Sequence, residues 1–182
     1  MPYSLIEQKD IEEAFKFLVL SFQQRRVRNR NKPVILHSIR VGMYLYKLDY
    51  PKDIVIGGIL HDLLEDTDIS FDALKEKFGD KIARLVQACS FDPSIKDKKE
   101  QYNEVFARCL KEGKEALLVK IADLIDNLPY MLDAKYAGNL RDLLQEKIRY
   151  FIDLARPKMS QEKLFQELIF LFEILSTTKI EN

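Results

Sequence analysis

Apolar residues recur every three or four positions along most of the chain, the spacing that gathers them on one face of a helix. It predicts helices near 9–28, 34–48, 52–65, 70–78, 80–90, 98–112, 114–131, 139–155 and 160–176. Pro33 suits the first turn of the second helix, Asp68-Ile69-Ser70 and Gly79 punctuate the middle, and Pro157 closes the eighth. The run Ile54-Val55-Ile56-Gly57-Gly58-Ile59-Leu60 is apolar or small throughout and reads as a core helix. No internal repeat, low-complexity tract or Pro/Gly/Ser linker divides the chain, so an all-α bundle forming one domain over residues 1–182 is expected.

Composition narrows the function classes. With 47% apolar and 32% charged residues the chain has the make-up of a soluble globular domain with a full core. Lys+Arg and Asp+Glu both number 29, so binding of nucleic acid or a membrane surface by bulk charge is disfavoured. Cys89 and Cys109 form no CxxC pair and read as small buried hydrophobes in a reducing, cytoplasmic setting. The first residues lack a signal-peptide pattern, and the apolar stretch 168–175 is interrupted by Glu173, so neither export nor a membrane span is expected.

The chemistry concentrates where the core helix ends. Only two histidines are present, His37 and His61, and the second opens the run His61-Asp62-Leu63-Leu64-Glu65-Asp66-Thr67. Imidazole and carboxylate are ligands for divalent transition ions. In a helix, His61 and Glu65 would form one i,i+4 row and Asp62 and Asp66 the next. One ion cannot take all four, so His61 and Asp62 are read as metal ligands, with Glu65 and Asp66 beside them for a water or leaving group. An isolated His-Asp pair is more often a solvated helix face. Emerging from an apolar helix, however, these acids need a counter-charge, and a cation supplies it. Downstream, Lys120, Asp123 and Asn127 share one face of an apolar helix at i, i+3 and i+7.

The order His, His-Asp, Asp, with HDLLEDT, Phe78-Gly79 and LLVKIADLIDNL, resembles the HD-domain phosphohydrolases. More narrowly, it is similar to the hydrolase domain of RelA/SpoT proteins and to small stand-alone alarmone hydrolases of the metazoan SpoT-homologue type. The likeness covers roughly residues 22–132, with helices over 139–176 completing the bundle. It implies a helical bundle with a divalent ion, typically Mn²⁺, between core helices, held by His37, His61, Asp62 and Asp123. It also implies Glu65 and Asp66 as the catalytic acidic pair, Asn127 as a nucleotide contact, and removal of the 3′-diphosphate from guanosine tetra- or pentaphosphate, the alarmones of the stringent response. A chain of 182 residues leaves no room for a nucleotide-synthesising domain, which points to a dedicated hydrolase.

Such a substrate is a polyanion, and a chain of zero net charge needs local cations for it. Residues 25–32 supply five in eight positions, from which Arg26 and Arg28 are singled out as phosphate or base contacts. Lys120 is a candidate to neutralise phosphate. Tyr150 matches a tyrosine that reaches the ligand in similar proteins, although packing is the commoner role for such a ring.

The chain departs from the family pattern in several places. His37 is followed by Ser38 rather than Pro, Leu124 stands where a basic residue is usual, Asp126 where His or Tyr is usual, and Cys89-Ser90-Phe91 where a Thr and a Lys are common. Asp126 is expected to add negative charge near an anionic ligand and so to shift the substrate. Two other function classes use the same residues: a nucleotidase or phosphatase that releases orthophosphate, and a regulatory module without catalysis, which the intact Glu65 and Asp66 disfavour.

Overall fold

The computed structural model describes residues 3–23, 34–129 and 139–177. They form α1 (Leu5–Gln23), α2 (Val34–Lys47), α3 (Lys52–Leu60), α4 (Leu63–Asp66), α5 (Phe71–Phe78), α6 (Asp80–Cys89), α7 (Lys98–Glu112), α8 (Lys114–Asn127), α9 (Asn139–Met159) and α10 (Lys163–Thr177). The all-α class follows directly, and no strand occurs among the described residues.

Local chemistry sets the boundaries. At the first helix, the Ser4 hydroxyl accepts from the Glu7 N–H at 3.3 Å while the Glu7 carboxylate accepts from the Ser4 N–H at 2.9 Å. This reciprocal capping starts α1 earlier than the apolar period alone predicts. Ser70 caps α5 through the Ala73 N–H and Asp97 caps α7 through the Glu100 N–H. Gly79 and Gly113 turn the chain at φ 86° and 124°, conformations that a side chain would strain. Pro157 does not close its helix as expected: α9 runs on to Met159, whose side chain is fully buried. So near the helix end the ring forfeits a single backbone hydrogen bond, and burial of Met159 outweighs it.

Helices α3 and α8 form the centre. Every residue from Ile54 to Leu60 and from Ala116 to Leu124 is buried, and α3 packs against α1, α2, α6 and α8. A helix apolar on all sides belongs in a core. Close approach of α2 to α3 requires small residues: a Cβ on Gly42 would overlap the Ile59 side chain, and one on Gly58 would lie 2.5 Å from Leu45 Cδ1. That contact brings the start of α2 to the end of α3.

The predicted helix over 52–65 is interrupted. α3 ends at Leu60, His61 and Asp62 form a turn at φ/ψ −57°/−30° and −92°/−4°, and α4 resumes at Leu63. Both residues stay in the right-handed region, so the chain tightens without reversing. Among the described residues no helix is long and apolar enough to cross a membrane.

Candidate metal centre and active site

Three packed elements deliver the predicted ligands: His37 from α2, His61 and Asp62 from the turn between α3 and α4, and Asp123 from α8. Both imidazoles are fully buried and Asp123 is 7% exposed. His61 Nδ1 lies 2.7 Å from the Gly58 carbonyl oxygen, which can only accept, so Nδ1 carries the proton and Nε2 is left as a lone pair. His37 Nδ1 faces a carboxylate oxygen of Asp126 at 2.6 Å with the same result.

The two Nε2 atoms are 3.2 Å apart. Asp123 Oδ1 lies 3.1 Å from His37 Nε2, and Asp62 Oδ1 lies 3.1 Å from His61 Nε2. The ligand atoms of His37, His61 and Asp123 all fall within 4.8 Å of one another. Three electron-pair donors converging in a buried space, with the Asp62 carboxylate against both imidazoles, demand positive charge, and such a set suits a divalent transition ion. Without an ion, protons meet the demand. Burial opposes charging His37, but its hydrogen bonds to Asp123 and Asp126 outweigh burial and hold its pKa up at about 9. Burial likewise disfavours the Asp123 anion, yet Lys120 and His37 keep that carboxyl well below the usual range.

Around this centre lies a shelf built by the end of α6. The Cys89 carbonyl accepts from Lys120 Nζ at 2.9 Å, the Ser90 hydroxyl lies 3.3 Å from the His61 carbonyl, and the Phe91 N–H donates to Glu65 Oε1 at 2.7 Å. The segment that departs from the family pattern is therefore what supports the site from below. Burial and the nearby Asp62 charge raise the Glu65 carboxyl to about 7, against the opposing pull of Lys120 and the Phe91 N–H. Asp66 is half-buried one residue further along α4.

Several expectations change. Lys120 is 5% exposed, and its ammonium is committed to Asp123 Oδ2 at 2.9 Å as well as to Cys89. Its place is that of an internal counter-ion to Asp123, and the expected phosphate contact is not supported by so buried an ammonium. Asn127 donates to Asp123 Oδ1 at 2.5 Å, beside the ligand set. Asp126, expected to repel an anion, is instead paired with His37 and Arg40. Leu124 is 1% exposed, so no cation can be offered there. Arg26 and Arg28 lie outside the described residues.

Tyr150 is 41% exposed and lines a cavity of about 190 Å³ with Lys99, Tyr102, Asn103, Leu143, Glu146 and Lys147. Tyr102 links that cavity to the acidic pair: its ring meets Phe91 edge-on at 5.2 Å, and the Glu65 and Asp123 charges, after burial, raise its hydroxyl pKa. A second cavity, of about 660 Å³, opens beside Arg40 and Asp126. The four predicted metal ligands line neither. Sequence reasoning passed over Arg40, Tyr102 and the Phe91 N–H. For Arg40 a signal existed, since it stands one turn after His37 as Asp126 stands one turn after Asp123, with opposite charge.

This arrangement is that of the HD domain, whose family profile matches residues 14–158, and the chain belongs to that family. Membership and the donor set together imply a bound divalent metal ion. Among relatives, the guanosine-3′,5′-bis(diphosphate) 3′-pyrophosphohydrolase of Aquifex aeolicus is 31% identical over 66% of this chain and 17% of its own length. Drosophila melanogaster MESH1, which bears the same enzyme name, is 33% identical over 58% of this chain and 60% of its own. The chain thus spans under two thirds of either relative. In fold, it superposes on a metazoan SpoT orthologue described as hydrolysing ppGpp, with a TM-score of 0.76, 23% identity and coverage of 91% of this chain and 94% of the other.

Proposed function

We propose that the chain is a metal-dependent phosphohydrolase that removes the 3′-diphosphate from guanosine tetra- or pentaphosphate, giving GDP or GTP and pyrophosphate. The observation that carries this reading is the convergence of His37, His61 and Asp123, with Asp62 set against both imidazoles, beside the Glu65 carboxyl whose pKa burial raises. The names of the relatives support the substrate.

His37, His61, Asp62 and Asp123 would hold the ion, read as Mn²⁺, which polarises a phosphoryl oxygen and lowers the pKa of water. Glu65, with Asp66, takes a proton from the attacking water and can return that proton to the leaving 3′-oxygen as its bond to phosphorus breaks; burial favours the protonated form of this carboxyl, which suits it to the return step. The Phe91 N–H fixes Glu65, and Lys120 holds Asp123 in place. Tyr150 and Asn127 are read as nucleotide contacts, and Arg26 and Arg28 as phosphate contacts. Packing of α9 on α7 and of α10 on α8 supports reading residues 1–182 as one domain.

Asp126 does not count against an anionic substrate, because Arg40 and His37 neutralise it. The buried Leu124 leaves the nucleotidase reading in play, since the basic residue usual there is missing. Product analysis with guanosine 3′,5′-bis(diphosphate) and Mn²⁺ separates the two. Pyrophosphate with GDP is the expected result, and Arg26→Ala or Arg28→Ala should raise KM more than it lowers kcat. Orthophosphate from simpler nucleotides, with the tetraphosphate untouched, would overturn it.

A further inference from the structure

Asp126 is among the most firmly held side chains near the site. Its Oδ2 accepts the Nδ1–H of His37 at 2.6 Å. Arg40 grips the same carboxylate as a fork, donating from Nε to Oδ1 and from Nη2 to Oδ2, both at 2.7 Å. We propose that Asp126 is a positioning residue for His37, anchored by Arg40, and that it sets the affinity of the centre for its divalent ion. The proposal rests on His37 being a metal ligand and not on the identity of the substrate.

An imidazole ligand works only when one nitrogen is deprotonated and aimed at the ion. A carboxylate on Nδ1 holds the proton there, stops the ring rotating and makes Nε2 a stronger donor. The two histidines are backed unequally: His61 by the neutral Gly58 carbonyl, His37 by an anion. Position and register support the same role. His37 and Arg40 lie one turn apart on α2, and Asp123 and Asp126 lie one turn apart on α8. Two parallel rungs therefore cross from helix to helix, one made of ligands and the other directly behind it. Asp126 has a side chain 16% exposed, whereas Arg40 is 44% exposed. The anion is thus shielded and the fork that holds it reaches water. A bidentate guanidinium fixes both oxygens, so Oδ2 cannot swing away from the ring.

The test uses the full chain, stripped of metal and titrated with Co²⁺, following visible absorption, and with Mn²⁺ by competition against a chelating dye. Asp126→Ala should weaken binding by roughly ten- to a hundredfold, the usual cost of losing such a partner. Asp126→Asn keeps an oxygen that can accept the Nδ1–H but loses the charge, and should weaken binding by about threefold or more. Arg40→Ala should lie between Asp126→Asn and wild type, and the Co²⁺ absorption of Asp126→Ala should shift as His37 reorients. Circular dichroism and Tm check the fold, and Asp126→Asn decides the question if Asp126→Ala fails to fold. Wild-type affinity in a folded Asp126 variant, even with a lowered Tm, would overturn the proposal by making Asp126 a tether between α2 and α8. If the wild-type chain binds no divalent ion, the assignment of His37 as a ligand fails first and takes the proposal with it.

Discussion

His37 and His61 point their Nε2 atoms at each other across 3.2 Å, with each Nδ1 already facing an acceptor. Two lone pairs so placed repel unless a cation or a proton lies between them. The pair is therefore a statement about occupancy, and it can be tested as one.

Purified protein should carry close to one transition ion per chain, and His61→Ala or Asp62→Ala should empty the site; elemental analysis reads the result. Equal metal content in all three proteins would remove the ligand assignment. Protons compete for the same lone pairs. With the metal-free His37 pKa near 9, apparent affinity should rise with pH until about that value, then level off.

Glu65→Gln and Asp66→Asn should retain the ion and lose about a hundredfold or more in kcat, because each removes a proton acceptor without removing a ligand. Steady-state kinetics on fully loaded protein is the measurement. Turnover near wild type in both would leave the chemistry to the metal-activated water alone.

Glu65 also predicts a pH dependence of stability in the metal-free protein. Its folded pKa of about 7 lies above its ordinary 4.5, so the folded state binds the proton more tightly than the unfolded one. Relative to Glu65→Gln, the wild type should lose stability as pH rises from about 4.5 through 7. The loss should be on the order of 2 kcal/mol for a partly solvated carboxyl. Urea unfolding at pH 5 and pH 8 in chelator gives the difference, and a gap that widens the other way would contradict the assignment.

The three central glycines should rank by the space their neighbours leave. Gly42→Ala drives a Cβ into Ile59 with that residue's backbone only 3.3 Å away, Gly58→Ala meets the flexible tip of Leu45, and Gly57→Ala meets ordinary contacts from 3.4 Å outward. Overpacking costs about 1–3 kcal/mol and the gain in helix propensity returns about 1. Gly42→Ala should therefore lower Tm most and Gly58→Ala less, while Gly57→Ala holds or raises it. Any other order in thermal unfolding argues against the close α2–α3 contact.

Helix positions were legible because apolar periodicity and burial are the same fact seen twice, and α2, α7 and α8 begin where the pattern places them. What the pattern could not show was the break after Leu60, since His61 and Asp62 keep right-handed dihedrals and only the hydrogen bonding changes. Pro157 misled because the cost of a proline depends on how well the next residues pack, and burial of Met159 is a tertiary fact. At the site, the donor types and their order along the chain could be read from His37, His61, Asp62 and Asp123, the proposed ligands. The partners of those side chains could not. Whether Lys120 meets phosphate or Asp123, and whether Asp126 meets substrate or His37, is decided by which helix faces which, and one sequence records no such pairing.

The proposed ligands come from α2, from the turn after α3 and from α8, so the centre joins chain segments 86 residues apart (His37 to Asp123). An unfolded chain cannot present them together, so an ion held there would bind the folded state selectively. Each tenfold rise in free ion above its Kd adds about 1.4 kcal/mol to the free energy of unfolding. Metal supply would accordingly govern how long the protein survives as well as how fast it turns over. Withdrawing the ion would then leave the chain more open to proteolysis.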